Sequence, residues 1–456
     1  MNIQNKKIGI WGFGVVGKAA LAYFENQGIA TIVMDAKRLT PEERSLIEKS
    51  KSSCIDQKNC LQFLETNDYI LASPGIDLRP YEKYKHKFIT ELDIFGECFK
   101  KPIIAITGTI GKTSITHLLS AILQTQKKIA TGGNIGTGML SLIGQQDEVD
   151  YAILELSSFQ LESCSSFAPD LAIWTNFFPN HLDRHGSLEH YFKAKCRMLV
   201  HQKKHQQALV PLDLMPLITN NLIHIEQQFH FFSDTKPTQE QRQAFPHSHY
   251  FWLNNTSIMH QLTNQISSLL DINKLPSITF AQNWLIIAAA LTVRTIPLTI
   301  LEKLPTLNLP SHRIEKVATI NSIDFYNDSK ATVPEATLAA VRKLQGNPII
   351  LFMGGISKGV DRTFMFKELK QFVSTIFFFG SEARFLADHA CSEHISSFAF
   401  LSLEEAFKAA IEVAQPGEQL LFSPSGASYD LFAHYEERGN CFKKLVEEYR
   451  NSHNQS

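Results

Sequence analysis

Along the chain, short apolar runs alternate with longer segments in which apolar residues return every third or fourth position. Runs at 7–11, 31–34, 69–72, 103–106, 128–131, 151–154, 171–174, 208–210, 249–252, 349–353, 376–379 and 419–422 read as strands. Residues 317–320 and 323–326 read as a hairpin about Asn321-Ser322. Helical periodicity follows at 91–99, 114–124 and 281–291, and in a helix capped by Ser187. Strands that alternate with helices imply doubly wound, mostly parallel sheets, so the expected fold class is α/β. A length of 456 residues suits about three domains. Breaks in the pattern place them at 1–97, 98–309 and 310–456. The stretch 205–275 resists the same reading, and its irregularly spaced histidines at 245–260 are expected on the surface.

One strand–helix junction carries chemistry. Ile103 to Ile106 precede Thr107-Gly108-Thr109-Ile110-Gly111-Lys112-Thr113, and Ile115, Leu118, Leu119, Ile122 and Leu123 then share one helical face. Glycines let backbone N–H groups close on phosphate oxygens, and the helix N-terminus adds positive potential. Lys112 is placed to reach terminal phosphates, and the Thr113 hydroxyl to ligate magnesium. The usual loop has a glycine where this chain has Ile106; here the glycine is Gly108, which makes the loop a shorter variant. The central domain is therefore expected to be of the P-loop ATPase type.

Two Rossmann-like domains are expected on either side. Gly12-Phe13-Gly14-Val15-Val16-Gly17 lies inside a βαβ unit, with Asp35 18 residues past its last glycine. Taken alone, this reads as an NAD-binding turn. Ser73-Pro74-Gly75 follows the strand at 69–72. Glu155 ends the strand at 151–154, as a magnesium ligand after a phosphate loop would, and Ser157 and Gln160 follow it. Asn180-His181-Leu182-Asp183-Arg184-His185-Gly186 is too polar for a core. Lys195 lies one helical turn after Tyr191 and by pattern alone is a solvated lysine. In the last third, Arg313, the run 327–332, the glycine turn 354–359 and the run 423–428 lie at predicted strand ends or beside them.

A net charge of −1 and a pI of 7.0 give no basic surface for nucleic acid. No apolar run reaches the ~20 residues of a membrane span. The seven cysteines form no CxxC pair, which points to a reducing cytosol. The start of the chain reads as a strand rather than a signal peptide, so a cytoplasmic location is expected.

The motifs GTIGKTS, GGNIG, ELSSFQLE, NHLDRHGSLEHYFKAK, LPSHRIE, NDSKAT, GGISKG and SPSGASYDLFAHYEERG occur in that order. Together they resemble the Mur ligases, the ATP-dependent amide ligases of peptidoglycan precursor synthesis. ELSSFQLE and the final motif favour the branch that adds D-glutamate to UDP-N-acetylmuramoyl-L-alanine. The resemblance covers nearly all of the chain except 205–275. It implies that the first domain binds UDP rather than NAD, the second ATP and the third D-glutamate. Gly14, Val15, Val16, Asp35, Ser73 and Gly75 then serve the UDP end, and Asn134, Ser157 and Gln160 the muramyl-alanyl part. Gly108, Thr109, Gly111, Lys112, Thr113, Arg313 and Asp328 hold the nucleotide. Two magnesium ions are implied, with Thr113 and Glu155 on one and His181 on the second. Lys195 matches the lysine that is carbamylated in the family, which reverses its reading from pattern alone. Lys330 sits near the reacting phosphate, so Lys112, Lys195, His181 and Lys330 form the catalytic set. Thr332, Lys358, Ser428 and Tyr435 match positions that grip D-glutamate, where the family has Phe for Tyr435. Small-molecule substrates alone are expected as partners, and a monomer.

The chain departs from the family at Ile110, Asn180, Gln282, Ile286 and Val333, where Asn, Asp, His, Asn and Asn are usual. An altered adenine pocket is the expectation. Another Mur-type or folylpolyglutamate-type ligase, a catalytically weak UDP-sugar binder and an NAD oxidoreductase are the alternatives. Lys112→Ala removes the charge at the transferring phosphoryl group, and one such group is worth about 3–4 kcal/mol, or roughly a hundredfold or more in rate. Phosphate release from ATP should therefore fall by at least that factor; turnover near wild type would mean that the loop is misassigned.

Overall fold

In the computed structural model the described residues are 3, 5–222, 226–276, 279–304 and 310–453. Compactness groups them into two units, Met1–Phe177 with Glu189–Leu307, and Phe178–Leu188 with Asn308–Ser456. The first unit carries two sheets. Strands β1 (Ile8–Trp11), β2 (Thr31–Asp35), β3 (Ser53–Asp56), β4 (Tyr69–Ala72) and β5 (Phe88–Ile89) form a parallel sheet in the order β3-β2-β1-β4-β5. The order reverses between β1 and β4, and such a crevice at the carboxyl ends of strands is where α/β sheets bind ligands.

The second sheet contains β6 (Ile103–Thr107), β7 (Ile129–Gly133), β8 (Tyr151–Glu155), β9 (Leu171–Trp174), β10 (Gln207–Pro211), β11 (Gln228–Ser233), β12 (His249–Asn254), β13 (Ser257–Leu262) and β14 (Gln265–Asp271). Their order is β14-β13-β12-β11-β10-β9-β6-β8-β7, and only the β12–β13 and β13–β14 pairings among the described residues are antiparallel. β6 is buried throughout because it lies inside the sheet with both faces covered. Successive side chains of a strand point to opposite faces. Ile103 and Ala105 therefore enter one core with Leu154 and Trp174, while Ile104 and Ile106 enter a second with Ile153 and Ile173. The helix Lys112–Gln124 supplies Ile115, Leu118, Leu119, Ile122 and Leu123 to that second core. Against it lies the helix Ala281–Val293, nearly all of whose residues are buried, which explains its lack of a polar face.

In the second unit, β15 (Glu315–Ile320), β16 (Ile323–Asn327), β17 (Ile349–Gly354), β18 (Val373–Phe379), β19 (Ser396–Phe400) and β20 (Gln419–Phe422) take the order β15-β16-β20-β17-β18-β19. β15 and β16 form the antiparallel hairpin that the pattern predicts, and the remaining pairings are parallel.

The strands that the pattern did not predict lie mainly at the margins of their sheets. β3 reads Ser-Cys-Ile-Asp and β14 is exposed along most of its first half, so neither offers an apolar run. β19 is likewise an outer strand with polar residues at its start. The histidines need a correction. Of the three at 245–260, only His247 is exposed. His230 is 3% exposed, and its Nδ1 accepts the His249 backbone N–H at 3.2 Å. The rings of His249 and His260 are half-buried and share a hydrogen bond, Nδ1 to Nε2, at 2.9 Å. The cause is register: β11, β12 and β13 bring side chains distant in sequence onto one face, beside Phe251.

Burial, then repulsion from His249 and His260, pushes His230 down to about 3. Burial, then His249, pushes His260 down to about 4, and burial lowers His249. Folded-state values below the free value of about 6.5 favour the folded state fully above that pH. This contribution is lost as pH falls from 6.5 through 4 and on to 3. The urea midpoint should accordingly drop between pH 7 and pH 5, and drop less in His260→Phe. Equal drops in both proteins would remove the histidines from the acid response.

Candidate active site

Gly108 is the residue on which the phosphate loop turns. Its φ is +145°, and a Cβ there would overlap Thr175 Oγ1, so only glycine fits. Gly111, at φ +84°, starts the helix Lys112–Gln124. Residues at the end of β9 hold the loop's crown. Asn176 Oδ1 accepts N–H bonds from Thr109 at 3.2 Å and Ile110 at 2.9 Å, while its Nδ2 donates to the Ile110 carbonyl at 3.0 Å. Thr175 Oγ1 donates to that same carbonyl at 2.6 Å. Ile110 thus meets the clamp through its backbone. Thr175 and Asn176 were not singled out in the sequence, although their place at a strand end beside the glycine loop is a signal.

Two lysines meet on the loop. Lys112 Nζ donates to the carbonyls of Gly108 and Thr109, each at 2.9 Å. Lys195 Nζ donates to the Gly108 carbonyl at 2.9 Å and lies 4.7 Å from the centre of the Tyr191 ring. Lys195 is 1% exposed, contrary to the expectation for a helical lysine. Burial first, and the Lys112 charge second, hold its amine well below the ordinary lysine range. Tyr191, also buried, shares a hydrogen bond with Thr109 through the two hydroxyls at 3.2 Å.

Glu155 ends β8 and is 1% exposed. Its Oε1 accepts from Asn134 Nδ2 at 2.9 Å, while its Oε2 is buried with no hydrogen-bond partner among the described residues. A buried carboxylate oxygen without a donor is costly unless a cation meets it, and this orphan oxygen fits a magnesium ligand. Among the described residues no three His, Cys, Asp or Glu side chains form a ready cluster. The Thr113 hydroxyl belongs to a buried residue of the same unit. His181, at φ +55°, belongs to Phe178–Leu188 and hence to the other unit. Ser157 and Gln160 spend much of their polarity on each other, as a capping box at the start of Ser158–Leu161.

In the first sheet the glycine turn is closed by Asp35, whose Oδ2 accepts the Phe13 N–H at 2.5 Å. Ser73 Oγ donates to the Gly12 carbonyl at 3.2 Å. Asp35, Ser73 and the turn that leads to Gly14, Val15 and Val16 thus meet at the carboxyl ends of β1, β2 and β4, with Gly75 two residues past Ser73. Gly14 precedes the helix Val15–Asn26 with no side chain capping its amides.

In the second unit, Asp328 follows β16 and is buried. Burial raises its carboxyl to about 7, against the opposing pull of Ser423, Arg313 and the Ile314 N–H. Ser423 Oγ donates to it at 2.8 Å. Lys330 Nζ lies 5.1 Å from the centre of the Tyr435 ring, Lys358 takes φ +53°, Ser428 is buried and Thr332 is half-buried. Two buried arginines lock the surrounding loops. Arg438 donates to Ser329 Oγ at 3.1 Å, the Ser329 carbonyl at 2.8 Å and the Gly426 carbonyl at 2.9 Å. Arg362 donates to the carbonyls of Gly354 and Gly355 and to Glu382. Neither was singled out in the sequence, yet Arg438 lies on the stripe that continues to buried Phe442 and Val446.

Strand, glycine turn and lysine-led helix define a phosphate-loop α/β protein whose chain carries further α/β sheets before and after this one in sequence. The sequence profile of the Mur ligase middle domain matches residues 106–290. Those of the Mur ligase, glutamate ligase domain and of the Mur ligase MurD-like, N-terminal domain match 312–426 and 6–85. A UDP-N-acetylmuramoylalanine–D-glutamate ligase of a Thermoanaerobacter species is 31% identical, over 99% of this chain and 100% of its own length. One from Desulfotalea psychrophila is 32% identical, over 96% and 95%. Among solved structures, a pseudomurein peptide ligase type C from Methanothermus fervidus superposes with a TM-score of 0.59 at 17% identity, covering 98% of this chain and 100% of that one. A MurF ligase from Thermotoga maritima, solved in complex with ADP, gives 0.55 at 17% identity, covering 92% and 96%. The chain belongs to the Mur ligase family, with its three-domain α/β fold and mostly parallel sheets.

Asn176→Ala removes the side-chain bonds to the Ile110 N–H and carbonyl, while the Thr109 N–H keeps its bond to the Asn176 backbone carbonyl at 3.2 Å. Each net hydrogen bond is worth about 1 kcal/mol, so the KM for ATP should rise by about tenfold. An unchanged KM would show that the loop holds its shape without the clamp.

Proposed function

We propose that this chain joins D-glutamate to UDP-N-acetylmuramoyl-L-alanine with ATP, as a ligase of peptidoglycan precursor synthesis. The observation that carries the reading is full-length similarity to D-glutamate ligases together with a buried Lys195 on the phosphate loop. Segments 1–97, 98–309 and 310–456 are assigned to UDP, ATP and the amino acid. A carboxylate is a poor electrophile, so its oxygen attacks the γ-phosphorus of ATP and ADP leaves. The amine of D-glutamate then attacks the acyl carbon of the acyl phosphate, loses a proton and expels phosphate. Lys112 offsets charge at the phosphoryl group.

Lys195 is suited to carbamylation because burial favours its neutral amine. Nitrogen attacks carbon dioxide, a proton leaves, and an anionic carbamate results. Glu155 Oε2, the Thr113 hydroxyl, His181 and that carbamate are the proposed holders of two magnesium ions, which when bound supply positive charge for the phosphates. Gly14, Val15, Val16, Asp35, Ser73 and Gly75 are assigned to the nucleotide-sugar, and Asn134, Ser157 and Gln160 to its muramyl-alanyl part. Gly108, Thr109, Gly111, Arg313 and Asp328 are assigned to ATP, and Lys330 to the reacting phosphate. Thr332, Lys358, Ser428 and Tyr435 are the proposed grip on D-glutamate. Among the described residues no helix is long and apolar enough to cross a membrane. A monomer in the cytoplasm completes the proposal.

Two measurements test it. Phosphate release should require UDP-N-acetylmuramoyl-L-alanine and D-glutamate; equal ATP turnover without the acceptor would sink the acyl-phosphate scheme. The intact mass of active enzyme should carry one carbamate on Lys195, and Lys195→Ala should lose most activity. An unmodified lysine with near-normal turnover in the variant would return Lys195 to a structural role.

A further inference from the structure

Glu91 is a carboxylate that the chemistry above does not use. It opens the helix Glu91–Cys98 and is 4% exposed. Its Oε1 accepts the Leu140 N–H at 3.1 Å, and the Met139 N–H lies beside the same carboxylate. Those two amides end the glycine loop that follows β7. The same loop closes on itself through a Gly133 N–H bond to the Thr137 carbonyl at 3.1 Å. Its start carries Asn134, whose side chain holds Glu155 Oε1 at 2.9 Å.

Gly138 shows how tightly the junction is packed. A Cβ there would lie 2.6 Å from Ala19 Cβ, 3.2 Å from Glu91 Oε1 and 3.3 Å from the Val15 carbonyl oxygen. The central loop is therefore pressed onto the first turn of the helix Val15–Asn26, beside Gly14, Val15 and Val16. Glu91 also lines, with Ser73 and Gln160, a cavity of about 30 Å³. Two residues on, Asp93 accepts N–H bonds from Ser165 at 2.9 Å and Ser166 at 2.8 Å. These lie on the segment that follows the Ser157–Gln160 turn. One helix thus grips both central loops that carry acceptor-facing residues. Asp93 has several donors on an exposed margin, whereas Glu91 is buried with its carboxylate at the three-way contact.

We propose that Glu91 is a positioning residue for the nucleotide-sugar acceptor, holding the 133–140 loop against the turn at Gly14, Val15 and Val16. Its carboxylate fixes the span between the turn assigned to UDP and the loop that carries Asn134. This rests on the proposed substrate, because a positioning role needs an acceptor that touches both places. Loosening the clamp costs binding of a ligand that bridges them and spares a ligand that sits on the phosphate loop alone.

The test uses the full chain and calorimetric titration with UDP-N-acetylmuramoyl-L-alanine, with a non-hydrolysable ATP analogue as internal control. Glu91→Ala removes the oxygen that accepts the Leu140 N–H. Its Kd for the acceptor should rise by about tenfold or more, with ATP-analogue affinity unchanged and kcat at saturating acceptor kept. Gly138→Ala, which forces a methyl group between Ala19 and Glu91, should give the same split and serves if Glu91→Ala does not fold. Equal weakening of both ligands, with a lowered thermal midpoint, would mark Glu91 as a structural residue and overturn the proposal. Wild-type acceptor affinity in either folded variant would also overturn it. If the wild-type chain itself fails to bind the acceptor while binding the ATP analogue, the substrate reading falls, and this role falls with it.

Discussion

Two amines that compete for one carbonyl oxygen set the character of this molecule. Lys112 and Lys195 both donate to the carbonyl of Gly108 at 2.9 Å. Like charges so close, with one of them fully buried, disfavour the protonated form of the buried one. The arrangement exists only because Gly108 takes a left-handed φ that brings its backbone against Thr175. A side chain at that place would push the loop off β9 and separate the two amines. The cores on both faces of β6 hold the strand, the strand holds the glycine, and the glycine holds the pair. The chemistry of Lys195 is thus a property of sheet packing as much as of its own helix.

Glu155 is the complement to that pair. It sits at the end of β8, next to β6 in the sheet, with one oxygen tied to Asn134 and the other untied. An untied buried oxygen is unfavourable in isolation, and the group that carries it is held firmly on its other side. Asn134 takes two bonds to Glu155, one through its backbone N–H at 2.8 Å and one through its side chain at 2.9 Å.

Local signals in the sequence were enough for the phosphate loop, because strand, glycines, Lys-Thr and helix are contiguous and each obeys its own period. The turn at Gly12 to Gly17 and its acid Asp35 were legible for the same reason. What the pattern missed depends on pairing. Lys195 looks like any helical lysine until Tyr191 and Gly108 enclose it. His230, His249 and His260 scatter irregularly along the chain and meet only through the register of β11, β12 and β13. Thr175 and Asn176 act on a loop 65 residues or more away in sequence, a distance no periodicity spans. Ser157 and Gln160 show the opposite case: their place after a strand and the resemblance suggest site residues, yet their spacing is also that of a helix cap, and the cap is present.

The guanidinium of Arg438 has a consequence for the order in which the molecule can be completed. It joins Ser329, 109 residues earlier, to Gly426, 12 residues earlier. During synthesis, β16 and its polar loop leave the ribosome well before the side chain that fastens them. Until the helix Tyr435–His453 emerges and packs, the loop at Asp328 and the loop at Ser423 have their own bond, Ser423 Oγ to Asp328, but not the buried guanidinium. The loops at this end of the third sheet therefore gain their guanidinium bonds late, and a nascent chain that ends short of Arg438 carries the motif without them.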